Sequence, residues 1–195
     1  MYGELLDNMT EHKDKRGWQT KTTAVVYDNP WIRVSHDTVV TPAGTDGIYG
    51  RIHFKNHAVG ILPIDDKGGT WLVHQSRYLF GSKTWEIPEG GSPEGEDLLL
   101  SAQRELLEET GLSATQWQPW LAMQLSNSVS DEVATVFLAQ GLTQGEMNLE
   151  VTEDITVRYL PLKEAIAMVY EGEIVDAISV AALLKAAATK DLLGF

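Results

Sequence analysis

Residues 90–112 read Gly90-Gly91-Ser92-Pro93-Glu94-Gly95-Glu96-Asp97-Leu98-Leu99-Leu100-Ser101-Ala102-Gln103-Arg104-Glu105-Leu106-Leu107-Glu108-Glu109-Thr110-Gly111-Leu112. A glycine-rich loop enters a stretch of helical composition over 96–109, and Gly111 stands where such a helix would stop. At 3.6 residues per turn, Glu105, Glu108 and Glu109 share an arc of about 100°. Three carboxylates on one stripe repel each other unless cations lie between them, and hard divalent ions favour such oxygen ligands. Arg104, four residues before Glu108, is spaced to steady that carboxylate. Leu99, Ala102 and Leu106 fall on one flank of the acidic stripe, with Leu100 and Leu107 on the other. The helix is therefore expected to pack on both sides while its carboxylates open into a cleft. Gly90 and Gly91 let backbone approach a metal and phosphates closely.

Outward from this segment, 195 residues allow one sizeable core, or a compact core with a small accessory unit. A composition of 43% hydrophobic and 22% charged residues is that of a globular chain rather than a disordered one. No apolar run approaches the ~18 residues of a membrane helix, and residues 1–20 lack the apolar centre of a secretory signal. The absence of cysteine excludes disulfides and thiolate zinc sites and fits a cytoplasmic setting. A net charge of -13 argues against partners such as nucleic acid or anionic membrane, both of which need basic surface. An anionic substrate then requires a metal or a few placed arginines to reverse the local field.

The coarse pattern predicts strands at 22–27, 31–40 and 48–54, a small antiparallel unit behind a polar arm. Strands at 57–64 and 70–75 read as a hairpin through Asp65-Asp66-Lys67-Gly68-Gly69. Further strands are expected at 121–125 and 133–139, joined by a polar loop at 126–132, and at 155–160. Helices at 163–170 and 177–188 close the chain. The prediction is an α+β domain over 56–195 with an N-terminal arm and β-domain over 1–55.

The pattern G-x5-E-x7-R-E-L-x-E-E-x-G-L matches the Nudix box at every defining position, and in this the chain resembles the Nudix hydrolase family. Chance agreement at seven charged or glycine positions is on the order of 10⁻⁸ per starting point. The resemblance implies an α/β/α sandwich with a mixed β-sheet. It also implies Mg²⁺, which Mn²⁺ can replace, held by Glu105 and Glu109 with help from Glu108 and the main-chain carbonyl of Glu89. Glu108 would also serve catalysis, Arg104 would be structural within the catalytic set, and Glu96 a supporting box residue. The metal activates a water for displacement at phosphorus.

The wider chain, roughly 20–190, resembles the ADP-ribose pyrophosphatase and nucleoside diphosphate sugar hydrolase branch. Trp85-Glu86-Ile87-Pro88-Glu89-Gly90-Gly91 is close to that branch's WEIPAGG-like run, which places Glu89 and Gly90 at substrate. His74-Gln75-Ser76-Arg77-Tyr78 is similar to its QYR-type segment, whose arginine contacts substrate phosphate. The branch typically exchanges its N-terminal β-domain across a homodimer. There Trp31 would either stack on a nucleobase or pack in the core or an interface, while Trp85 is expected in the core. Ser128 and Glu132, in the polar loop, would contact substrate. A late acidic loop often supplies the catalytic base, and Glu153 and Glu150 are the two candidates. The implied reaction is pyrophosphate hydrolysis of a nucleoside diphosphate sugar such as ADP-ribose. The alternatives are another X-linked nucleoside diphosphate, or a non-catalytic ADP-ribose sensor.

Overall fold

The computed structural model describes residues 17–146 and 154–189, and the chain divides into two compact units. The first combines residues up to His57 with Ala122–Ala134. Its frame is three antiparallel strands in the order β1-β2-β3: β1 (Gln19–Asp28), β2 (Ile32–Val40) and β3 (Asp46–Phe54). Asn29 makes the first turn, because its side-chain oxygen accepts from the amides of Trp31 (2.9 Å) and Ile32 (2.7 Å). The second turn closes through Thr41 and Thr45, with Gly44 at φ +83°. On β2 the side chains of Ser35, Asp37 and Val39 alternate inward, whereas every residue of β1 is exposed. The segment 126–132 is docked on β3. Ile52 donates its amide to Val129 O at 2.8 Å, and Asp131 accepts from the Phe54 amide (2.9 Å) and contacts His53 Nδ1 (2.7 Å).

The second unit comprises Ala58–Leu121 and the chain from Thr135 onward. It holds β4 (Asn56–Pro63) from Ala58 onward, β5 (Gly69–Arg77), β6 (Ser82–Glu86) and β7 (Glu89–Pro93). These are followed by α1 (Leu98–Thr110), β8 (Leu112–Gln124), β9 (Val133–Gln144), β10 (Thr156–Pro161), α2 (Leu162–Tyr170) and α3 (Ala177–Ala188). The strands form two sheets, β7-β4-β9-β8 and β10-β5-β6. Val59, Ile61 and Leu62 of β4, Leu72 and Val73 of β5, Leu106 of α1, Val136 of β9 and Leu183 of α3 are wholly buried. Removing that much apolar surface from water is what holds the unit together.

Three expectations change. β4 and β5 do not form a hairpin ladder; a lone bridge, Ile64↔Thr70, spans the Asp65–Gly69 turn before the strands enter different sheets. β4 has β7 on one edge and β9 on the other, so no edge remains for β5. The box helix begins at Leu98 rather than at Glu96, because the Asp97 side chain caps the Leu99 and Leu100 amides at 2.8 and 3.3 Å. That helix also packs on one flank only: Ala102 and Leu106 are buried, while Leu100 and Leu107 face solvent. Its end is as predicted, with Gly111 left-handed at φ +71° and its amide donating to Leu107 O.

Candidate active site

The site grows from the junction of β7 and α1. Ile61 N donates to Pro88 O (2.8 Å), and the buried Ser179 hydroxyl of α3 accepts from Ile87 N (2.9 Å). The 85–91 segment is thus fixed on both sides. A buried Ser101–Ser92 hydroxyl pair at 2.7 Å then ties α1 to β7. On this frame Glu105 and Glu109 lie on the buried side of the helix, and Glu108 is half-buried. Glu109 Oε2 accepts from the Glu89 amide at 3.0 Å.

Gly90 matters here for space rather than for backbone angle. A Cβ there would overlap the carboxyl group of Glu105, so glycine lets the strand pass close to that carboxylate without pushing it aside. Arg104 binds Glu108 (3.0 Å), Glu105 (2.8 Å) and the Gly91 carbonyl (3.0 Å). It joins helix to strand while balancing two carboxylates. Burial works against its charge, but Glu105 and then Glu108 hold its guanidinium above the ordinary value.

Arg77, at the end of β5, reaches two further carboxylates. Its Nε (2.9 Å) and Nη2 engage the buried Glu86, and Nη2 also engages Glu89. Gln75 Nε2 (3.0 Å) and the Thr84 hydroxyl complete the donors to Glu86. Burial opposes the Arg77 charge, yet its hydrogen bonds to Glu86 and the charge of Glu89 raise its pKa. Glu89 is the opposite case. Burial pushes its carboxyl well up, Asp176 and Glu86 add to this, and Arg77 only partly offsets them. Its Oε2 is buried with no hydrogen-bond partner among the described residues.

The structure therefore brings together Arg77, Glu89, Gly90, Arg104, Glu105, Glu108 and Glu109. Trp31, Ser128 and Glu132 belong to the other unit. There Trp31 is exposed, the Ser128 carbonyl accepts from the Tyr49 hydroxyl, and burial raises the Glu132 carboxyl. Glu150 and Glu153 lie outside the described residues. Trp85 is not a core residue: it is half-buried and stacks on His74 at 4.5 Å between centroids. Glu86, Gln75, Thr84 and Asp176 were missed by the sequence reading. Glu86 and Gln75 lie in the two quoted motifs, and the two-residue alternation toward Arg77 was the available signal.

The chain belongs to the Nudix family. The model of the NUDIX domain matches residues 55–183, and that of the nucleoside diphosphate sugar hydrolase N-terminal domain matches residues 18–52. The chain is 35% identical to an ADP-ribose pyrophosphatase of Mycobacterium tuberculosis over 182 residues, 90% of this chain and 84% of that one. It is 35% identical to an ADP-ribose pyrophosphatase of Bacillus subtilis over 122 residues, 62% of this chain and 66% of that one. The fold matches a crystal structure of an ADP compounds hydrolase with a TM-score of 0.82 at 20% identity, covering 91% of this chain and 96% of the other. The Nudix-type α+β fold with antiparallel N-terminal strands is thus established, and members of the family generally use divalent metal cations.

The residues present suit such a cation. Glu105, Glu108 and Glu109 offer hard oxygen donors, the absent side chain at Gly90 leaves a close approach, and Glu89 Oε2 is a buried oxygen without a partner. Among the described residues no three such side chains already surround one point, so these carboxylates would turn toward a shared ion.

Proposed function

We propose that this protein hydrolyses the pyrophosphate bond of ADP-ribose or a related nucleoside diphosphate sugar, giving a nucleoside monophosphate and a sugar phosphate. The observation that carries the reading is the packing of Glu105 and Glu109 against the Glu89-Gly90 backbone. The likeness to two ADP-ribose pyrophosphatases and the sugar-hydrolase N-terminal domain supports the substrate class.

Glu105, Glu108, Glu109 and the Glu89 carbonyl would hold Mg²⁺, or Mn²⁺ in its place. A bound divalent cation neutralises phosphate charge and lowers the pKa of a water. Arg77 would take a substrate phosphate oxygen. Arg104 would keep the helix carboxylates in place, and Glu153 or Glu150 would accept the proton of the attacking water. Trp31 would stack on the base, and Ser128 and Glu132 would line the substrate site. The exposed β1 fits a homodimer in which that sheet is covered by a second copy. The acidic net charge and the lack of cysteine fit a cytoplasmic enzyme without nucleic-acid or membrane partners.

The test is product analysis with Mg²⁺ on ADP-ribose, other nucleotide sugars, NADH and nucleoside triphosphates, with Glu109→Gln alongside. AMP and ribose 5-phosphate from ADP-ribose, lost in the variant, are expected. Cleavage confined to triphosphates would move the substrate class. Tight ADP-ribose binding without turnover of any diphosphate would sink the enzymatic reading.

A further inference from the structure

The contacts of Arg77 are distributed unequally. Glu86 engages it through two parallel bonds, Nε to Oε1 and Nη2 to Oε2, and also accepts from Gln75 and Thr84. A carboxylate has about four acceptor sites, so Glu86 is fully used and by itself matches the arginine's charge. Glu89 is supernumerary. Its Oε1 shares Nη2 with Glu86, while its Oε2 is buried and has no partner among the described residues. One guanidinium thus stands against two carboxylates, with Asp176 acting on both Arg77 and Glu89. A phosphate approaching Arg77 meets an Nη2 whose two hydrogens are already engaged, one by Glu86 and one by Glu89.

Glu89 also touches the acidic helix, since its own amide donates to Glu109 Oε2. It is joined to Arg77 through its side chain and to the carboxylate helix through its backbone. We propose that the Glu89 side chain closes Arg77 to anionic ligands until a cation held by the neighbouring carboxylates takes up its free oxygen. On that account phosphate binding at Arg77 is conditional on cation occupancy. The inference rests on the reading of Arg77 as a phosphate ligand. It makes Glu89 a positioning residue, acting through Arg77. The device orders binding: an anion is not captured in a site that lacks the charge needed to react with it.

Binding of AMP, measured by calorimetry in EDTA and again in Mg²⁺, tests this with wild type, Glu89→Gln, Glu89→Ala and Arg77→Ala. Glutamine keeps the shape and replaces the carboxyl group by a weaker acceptor, and alanine removes the side chain altogether. In EDTA both position-89 variants are expected to bind AMP about tenfold more tightly than wild type, since the acidic group that occupies Nη2 is gone. In Mg²⁺ the difference should shrink to about twofold or less, because the coupling between the two ligands has lost its gate. Structural damage weakens binding, so a gain in EDTA is not a product of misfolding. If neither position-89 variant gains affinity in EDTA while Arg77→Ala weakens AMP binding, the gate is overturned and the phosphate role of Arg77 stands. If Arg77→Ala changes AMP binding under neither condition, the phosphate role itself is lost and the gate with it.

Discussion

The two units depart from ordinary burial in opposite directions. In the N-terminal sheet large apolar groups face outward: Val26 is 63% exposed, Trp31 65% and Ile48 69%. In the catalytic unit charged groups are drawn inward, with Glu86 1% and Glu109 2% exposed. A globular chain usually arranges the reverse, and contiguous exposed apolar surface or buried charge marks a place where something else binds. The sheet exposes what a partner surface would cover. The catalytic unit buries what a cation and a phosphate would balance. The units also differ in how each holds a buried carboxylate. Glu86 receives four donor bonds, whereas Asp37, paired with Arg51 at 2.8 Å, keeps one buried oxygen without a partner among the described residues.

The largest effect is expected at Glu86. Glu86→Ala leaves Arg77 without its saturated counter-ion and should reduce unfolding stability by about 3 kcal/mol in a urea titration. Asp37→Ala in the other unit should cost clearly less; equal losses would remove the contrast between the two pairs. Gly90→Ala comes next. Its methyl group would displace the Glu105 carboxyl, and kcat should fall about a hundredfold with little change in melting temperature. A variant that keeps wild-type kcat would show that this approach is not part of the chemistry.

On the exposed sheet, Val26→Glu should convert a dimer to monomer in light scattering. A mass that is monomeric already in the wild type would end the claim that a second copy covers β1. The smallest effect belongs to Trp31→Ala, expected to raise KM about fivefold, a stacking contribution of about 1 kcal/mol, with kcat unchanged. A fall in kcat at constant KM would remove Trp31 from base recognition.

Where chemistry depends on spacing along one helix, the sequence was legible. The ion pair of Arg104 with Glu108 and the stop at Gly111 both follow from a repeat of 3.6 residues and from glycine's tolerance of positive φ. Where structure depends on which strand takes which edge, it was not. The Asp65–Gly69 turn is real, with Gly68 N donating to Asp65 O at 3.0 Å, yet its flanking strands part into two sheets. Local turn chemistry is silent about competition from β7 and β9. The same holds for Leu100 and Leu107, whose exposure depends on what lies opposite the helix and not on the helix itself.

The sequence by itself determined the family, the acidic helix with its stop, and the antiparallel three-strand unit, because each rests on short-range periodicity and turn residues. Only the tertiary structure decided that Arg77 is held between Glu86 and Glu89, and that Ser179 fixes Ile87 from 92 positions away. These are matters of packing between elements distant in sequence. A buried charge takes its energy from the neighbours that folding brings to it, and no local pattern names them.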